Sequence, residues 1–331
     1  SWLVKRLSRP LLGGLALILA LLLLLANRAG EDNLDEAADV VTTAAGDDAD
    51  VGRSTTSAAV ITTTTEATTT TQPTTTTEPP FDGWVKPESA GLPWSDLGAV
   101  EGLLTFRGNP TRTYYGRGPV PADPEVIWTF DIGCSNSTVG GEPKQWCGSG
   151  WTGQPSIFQP SAGPNGERDE ETWWLAFGAY NRKVNFLDPA TGAEVYPGYA
   201  TDDIIKGSIT IDPDGFPLLY TGSRDNFYHV VALDRPEPEA LWKLSSDAVK
   251  PTKWNNDWDS SGHVIDDYLF EGGENSRFFI VKLNRGYDAD GLVVVDPEIV
   301  FSGEGWDAEL TAAVGNDVSN ENSVAISGNK C

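Results

Sequence analysis

Methionine is absent from the sequence, even at position 1, and histidine occurs only twice. Without an initiator methionine, the ends at Ser1 and Cys331 are read as set by processing or by the sequence being a fragment. The two histidines, His229 and His263, lie far from any cysteine, which argues against a mixed His/Cys metal centre. Cationic side chains are scarce: 23 Lys and Arg stand against 48 Asp and Glu, a net charge of −25. A surface that acidic argues against nucleic acid as a partner and against docking on anionic lipid, because both are held by clustered Lys and Arg. It fits a soluble, self-repelling surface. Beyond residue 80 there is no long amphipathic stretch of helical period, so a helical fold is not expected.

Cysteine is nearly absent too. Of the three, Cys134 and Cys147 bracket a short loop of Gly, Ser, Asn and Pro, and Cys331 has no evident partner. A pair closing a polar loop predicts a disulfide and hence an oxidising compartment, with two free thiols as the other reading. The long hydrophobic run is confined to Leu11–Ala26, sixteen residues without charge. As a helix it spans about 24 Å, close to a hydrocarbon core. Lys5, Arg6 and Arg9 precede it and Glu31, Asp32, Asp35 and Glu36 follow, which places the N-terminus in the cytoplasm and the rest outside. A cleaved signal peptide is the rival, but no small-x-small cleavage pattern ends the run. From Thr62 three hexads follow, TTTTEA, TTTTQP and TTTTEP, which read as an extended stalk. The expected organisation is a basic flank (1–10), an anchor (11–28), a disordered stalk (29–80), a lead-in (81–120) and a folded domain (121–331).

Eleven of the twelve tryptophans lie beyond Gly83, where short apolar runs alternate with Gly, Pro, Asn and Asp. WWLAF (173–177), VNFL (184–187), FPLLY (216–220), YHVVAL (228–233), RFFIVKL (277–283) and GLVVV (291–295) are the length and composition of strands, so the fold class is all-β. Three runs end in a hydrophobic residue plus Asp: Leu187-Asp188, Leu233-Asp234 and Val295-Asp296. Each leads through a turn into a strand ending in an aromatic, at Tyr196, Trp242 and Phe301; PEVIW, ending at Trp128, belongs to the same series. One such unit per 40–60 residues is the size of a propeller blade.

The stretch AFGAYNRKVNFLDPATGAEVY, Ala176 to Tyr196, resembles a blade of the pyrroloquinoline-quinone (PQQ)-like β-propeller family. Gly222 to Trp242 and the segment ending at Phe301 match more loosely, and TFRGNPTRTYYGRGPVP (105–121) is similar to segments preceding the first blade. The resemblance implies an incomplete propeller of about four blades. It also raises PQQ or calcium binding, as in the family's oxidoreductases, but no adjacent cysteine pair is present and no ligand ring can be matched, so no cofactor is expected.

Four motifs bear on sites. Gly148-Ser-Gly-Trp-Thr-Gly153 spells a dinucleotide-loop pattern but leads into a strand, which reads as a turn. Asp212/Asp214, Asp257/Asp259 and Asp288/Asp290 read as hairpin turns, with calcium as the other reading. Asn136-Ser-Thr138 is a glycosylation sequon. In KWNNDWDSSGH, Trp254, Asn255, Asn256, Trp258 and His263 form an aromatic–polar set suited to gripping a sugar or a peptide. The expected function is an extracytoplasmic, membrane-anchored binding or scaffold module for a protein or glycan partner. The alternative is a PQQ- or calcium-dependent oxidoreductase.

Overall fold

In the computed structural model the described residues are 83–331, apart from 87–88, 90, 95–98, 115, 117, 140, 151–152 and 162–170. The basic flank, the Leu11–Ala26 run and the threonine stalk lie outside them. Among the described residues no helix is long and apolar enough to cross a membrane.

The domain is built from antiparallel meanders. The first sheet runs β1 (Gly102–Leu103), β4 (Ser156–Phe158), β5 (Trp174–Gly178), β6 (Lys183–Leu187) and β7 (Glu194–Ala200) in spatial order. The second contains β8 (Thr210–Ile211), β9 (Leu218–Gly222), β10 (Phe227–Ala232) and β11 (Glu239–Ser245). The third contains β12 (His263–Ile265), β13 (Tyr268–Gly272), β14 (Arg277–Lys282) and β17 (Glu298–Glu304). Two small hairpins stand apart: β2 (Cys134–Val139) with β3 (Glu142–Cys147), and β15 (Gly286–Tyr287) with β16 (Val293–Val294). One short helix, α1 (Ala308–Val314), is capped where the Asp307 carboxylate accepts from Leu310 N–H.

The three sheets repeat one another bond for bond. Each hairpin between the second and third strands closes alike: Ala179 N–H donates to Lys183 C=O, Ser223 to Phe227 and Gly273 to Arg277. In each, an Asx side chain accepts from the N–H two residues on: Asn181 from Lys183, Asp225 from Phe227 and Asn275 from Arg277. The residue between takes a left-handed conformation, at Arg182 (φ 62°), Asn226 (φ 76°) and Ser276 (φ 63°). After the outermost strand the chain returns to the same hairpin. Thr201, Ser246 and Gly305 donate to the carbonyls of Arg182, Asn226 and Ser276, and Ile205, Trp258 and Asn320 donate to those of Ala179, Ser223 and Gly273. The path then enters the next innermost strand along a serine staircase. Gln154 N–H donates to Ser208 Oγ, Ser208 N–H to Ser261 Oγ, and Ser261 N–H to Ser323 Oγ.

The outermost strands share a register as well. Tyr196 lies opposite Phe186, Trp242 opposite Val230 and Phe301 opposite Ile280, and each aromatic follows a one-residue bulge, at Val195, Leu241 and Val300. Of these aromatics, Tyr196 reaches toward the turn of the following sheet, whereas Phe301 is half exposed and lies against Phe278 of its own sheet. Tyr196 Oη donates to Arg235 C=O, just past Asp234, at 2.6 Å. Trp128 Nε1 donates to Pro189 C=O, just past Asp188, at 3.0 Å, although its own segment pairs with no strand. The glycine of that turn is required, because a Cβ on Gly192 (φ 73°) would meet the Trp128 ring at 2.7 Å.

The third repeat corrects one sequence reading. The third strand, β14, leads straight to Leu283, the counterpart of Leu187 and Leu233, and the β15–β16 hairpin is inserted before Asp296, whose N–H returns to Leu283 C=O. GLVVV therefore belongs to an excursion and not to a main strand, which accounts for the 59-residue interval.

The core lies between sheets. Along β9 and β10, Leu219 and Val231 face one apolar cluster while Leu218, Tyr220, Val230 and Ala232 face the other. Alternate residues point to opposite faces, so a sheet buried on both sides reads as a continuous apolar run. The innermost strands would present bare edges. The 99–113 segment covers them: β1 pairs with β4, Ile211 N–H donates to Leu104 C=O, and Ile326 N–H to Pro110 C=O.

Candidate functional site

The three Asx hairpins and the segments that return to them share one end of the sheets. Over the first two lies the β2–β3 hairpin, closed by the Cys134–Cys147 disulfide between directly opposed residues, as the spacing predicts. Ser135 Oγ donates to Tyr180 C=O, Arg182 donates to Asn136 C=O, and the Arg224 guanidinium reaches Ser137 Oγ at 3.4 Å. Trp146 packs edge-on against Tyr180 at 5.2 Å.

Beside this hairpin the second and third repeats bring together Lys206, Arg224, Asn255, Asp257, Asp259 and Glu274. Arg224 Nε donates to Asp257 Oδ2 at 2.5 Å. Lys206 Nζ pairs with Asp259 Oδ2 and stands 3.7 Å from Glu274 Oε1. Asn255 Nδ2 bridges Asp257 Oδ2 at 3.0 Å and Glu274 Oε2 at 2.7 Å. Burial pushes the Glu274 carboxyl up to about 8, helped by its hydrogen bond to Asp259 and by the nearby Asp259 and Asp257 charges. Burial also raises Asp257, against the pull of Arg224. Burial opposes the charge on Lys206, but Asp259 and Glu274 together outweigh it and raise its pKa. Asp259 Oδ1 is buried and receives no N–H or O–H donor from the protein.

The structure splits the aromatic–polar set read from KWNNDWDSSGH. Trp254 is exposed (54%), Asn256 is exposed, and Asn255 joins the charged cluster. Trp258 and His263 are fully buried and cannot meet a ligand at the surface. Trp258 packs between Tyr228 and Phe279, with ring centroids 5.8 and 5.7 Å away. Gly222 lets the backbone of this residue approach closely, because a Cβ there would lie 2.2 Å from the Trp258 carbonyl oxygen. His263 meets the edge of Trp94 at 5.3 Å, and burial, then the nearby Arg112 charge, holds its pKa well below the usual value. Asx-hairpin residues such as Glu274 and Arg224 carried no motif of their own. The signal that would have found them is the glycine at the end of each second strand, which fixes the hairpin.

The remaining motifs resolve as structure. A Cβ on Gly150 would lie 2.4 Å from the Lys206 carbonyl oxygen, so that glycine permits close backbone approach. Asp288 Oδ1 accepts from Asp290 and Leu292 N–H in a turn. Asp212 and Asp214 are tied, with Asp267, by the Arg285 guanidinium, which lies 4.8 Å over the Phe216 ring. An apolar cleft of about 300 Å³ opens between the first two sheets, lined by Phe158, Trp174, Phe216 and Leu218 among others.

Among the described residues no group of three or more His, Cys, Asp or Glu is placed to hold a metal ion. The inner edges of the sheets are occupied by the 99–113 segment, with the buried Arg112 bonded to protein oxygens there.

No protein family and no curated protein matches the sequence. Among solved structures, the crystal structure of BamB from Moraxella catarrhalis is similar at 14% identity and a TM-score of 0.27, over 52% of this chain and 67% of that one. The described residues form an all-β domain of repeated four-stranded antiparallel sheets with one disulfide among them.

Proposed function

We propose that the chain is a binding or scaffold module built as a β-propeller of the PQQ-like type, held outside the cytoplasm by Leu11–Ala26, and that it takes a protein or glycan partner on the face carrying the Asx hairpins. The observation that carries this reading is the recurrence of the same hydrogen bonds, bulge and aromatic in three successive sheets. Repeats of that kind need a neighbour on each side, and their shared end is where variable side chains collect on a fixed frame. The disulfide supports an oxidising location. The acidic surface supports a partner other than nucleic acid.

The test is a binding screen of the folded chain against glycans and extracytoplasmic proteins, followed by two substitutions at exposed positions. Asn256→Arg on the hairpin face should weaken any specific ligand at least about tenfold, within the range of interface hot spots. Asp290→Arg on the β15–β16 hairpin, at the other end of the sheets, should leave it unchanged. A ligand lost with Asp290→Arg and kept with Asn256→Arg would place binding elsewhere.

A further inference from the structure

Taking the hairpin face as the binding face, the ligand chemistry can be made narrower. Four carboxyl groups, Asp203, Asp257, Asp259 and Glu274, stand around two cations, Lys206 and Arg224, and Asn255 spans two of the acids with its amide donors. The cations are already committed to Asp257 and Asp259. Asp259 is 7% exposed and its Oδ1 receives no donor from the protein, so a buried acceptor is left for something that brings positive charge. Glu274, 3% exposed, is raised to about 8 by burial first, and then by its hydrogen bond to Asp259 and the Asp259 and Asp257 charges, so at neutral pH it carries a proton that an arriving cation can displace.

At the rim stands Trp254. It is a bulky aromatic in a left-handed conformation (φ 54°), where L side chains other than Gly, Asn and Asp are seldom found. The strain is held by backbone bonds on either side, Lys253 N–H to Asn275 C=O and Asn255 N–H to Glu274 C=O. Those bonds anchor Trp254 to the turn that bears Glu274 and leave its indole largely in solvent. Backbone strain that keeps an apolar side chain exposed does not serve packing and points to a ligand. An indole at the rim of a carboxyl cluster with a spare buried acceptor is an arrangement that receives an ammonium or guanidinium group.

We infer that the face takes a basic side chain, a lysine or arginine presented by a protein partner, with its charge at Asp259 and Glu274 and its stem against Trp254. The acidic surface would draw such a partner in over a distance set by ionic strength.

The test uses the whole folded chain with labelled tetralysine and tetraarginine peptides, a tetramer of glucosamine as a cationic sugar, and the neutral N-acetylated tetramer. Binding of the peptides should weaken about tenfold in Trp254→Ala and in Asp259→Asn, and should be largely kept in Trp254→Phe. Asp290→Asn removes an equal charge elsewhere and should change affinity less than twofold. Circular dichroism and the melting temperature establish that each variant is folded. Equal weakening by Asp290→Asn and Trp254→Ala would mean bulk charge attraction and overturn the assignment. Preference for the glucosamine tetramer over both peptides would overturn the protein partner in favour of an aminosugar. A ligand still lost with Asn256→Arg but indifferent to charge and to Trp254 would overturn the basic ligand and leave the binding face standing; no ligand sensitive to Asn256→Arg removes both.

Discussion

Glu271 shows what a single buried acid does to this fold. It sits on β13 with Ser260 donating to Oε1, and Oε2 has no donor. Burial raises its pKa from 4.5 to about 8, with Ser260 and Arg112 pulling it back only in part. In the unfolded chain the same group loses its proton near 4.5. Between those values the folded state binds more protons than the unfolded state, so stability falls as pH rises from about 4.5 to about 8. The loss is on the order of a few kcal/mol by pH 8. Glu274 contributes in the same direction. Glu271→Gln mimics the neutral acid at every pH, so its urea midpoint should decline less between pH 5 and 8 than that of the native chain. Adding Glu274→Gln should flatten the decline further. An unchanged slope in Glu271→Gln would show that the carboxyl is ionised in the fold.

Among the elements, the β2–β3 hairpin depends most on a covalent bond. Most of its side chains are exposed, and its ties to the hairpins beneath it are a few side-chain hydrogen bonds and the Trp146 contact. Closing a loop of this length is worth roughly 3 kcal/mol in the chain-entropy model. Reduction, or paired Cys134→Ser and Cys147→Ser, should raise amide exchange across 134–147 while β9 and β10 keep their protection. Loss of protection throughout would mean that the hairpin holds the sheets together. This pairing was legible from the sequence, as were the second and third strands, because Ala176–Leu187 and Leu218–Leu233 are long enough to show an apolar pattern. The innermost strands were not. β4, β8 and β12 are two or three residues long, and their place is set by the serine staircase and the 99–113 segment, which only the fold brings together. Nor could the sequence sort Trp254 from Trp258. The two lie four residues apart in one polar stretch, and what separates them is the packing of the Trp258 indole between Tyr228 and Phe279, which only the fold brings to it.

For the molecule as a whole, Arg112 is the tie. Its guanidinium donates to Phe106 C=O and Ser261 C=O at 2.5 Å, to Val324 C=O at 2.8 Å and to Thr105 Oγ1 at 2.9 Å. Burial lowers its pKa to about 9, against the pull of Glu271, and it is still charged at neutral pH. Arg112→Ala would leave several buried carbonyls without a donor. A loss of roughly 3–5 kcal/mol is expected, seen as a lower denaturation midpoint and as earlier proteolytic cleavage within 99–113. A loss below about 1 kcal/mol would mean that water replaces the guanidinium at little cost.

The 99–113 segment also sets an order of events. Arg112 joins partners 149 and 212 residues further along the chain. A segment made early that can settle only against strands made late must wait, exposed, until the last of them arrives. Contacts so distant in sequence slow the search for the native state, and long waiting exposes sheet edges to wrong partners. The domain should therefore acquire its hairpins quickly and locally, each closed by its own Asx residue, and lock slowly in a final step in which the sheets close around Arg112.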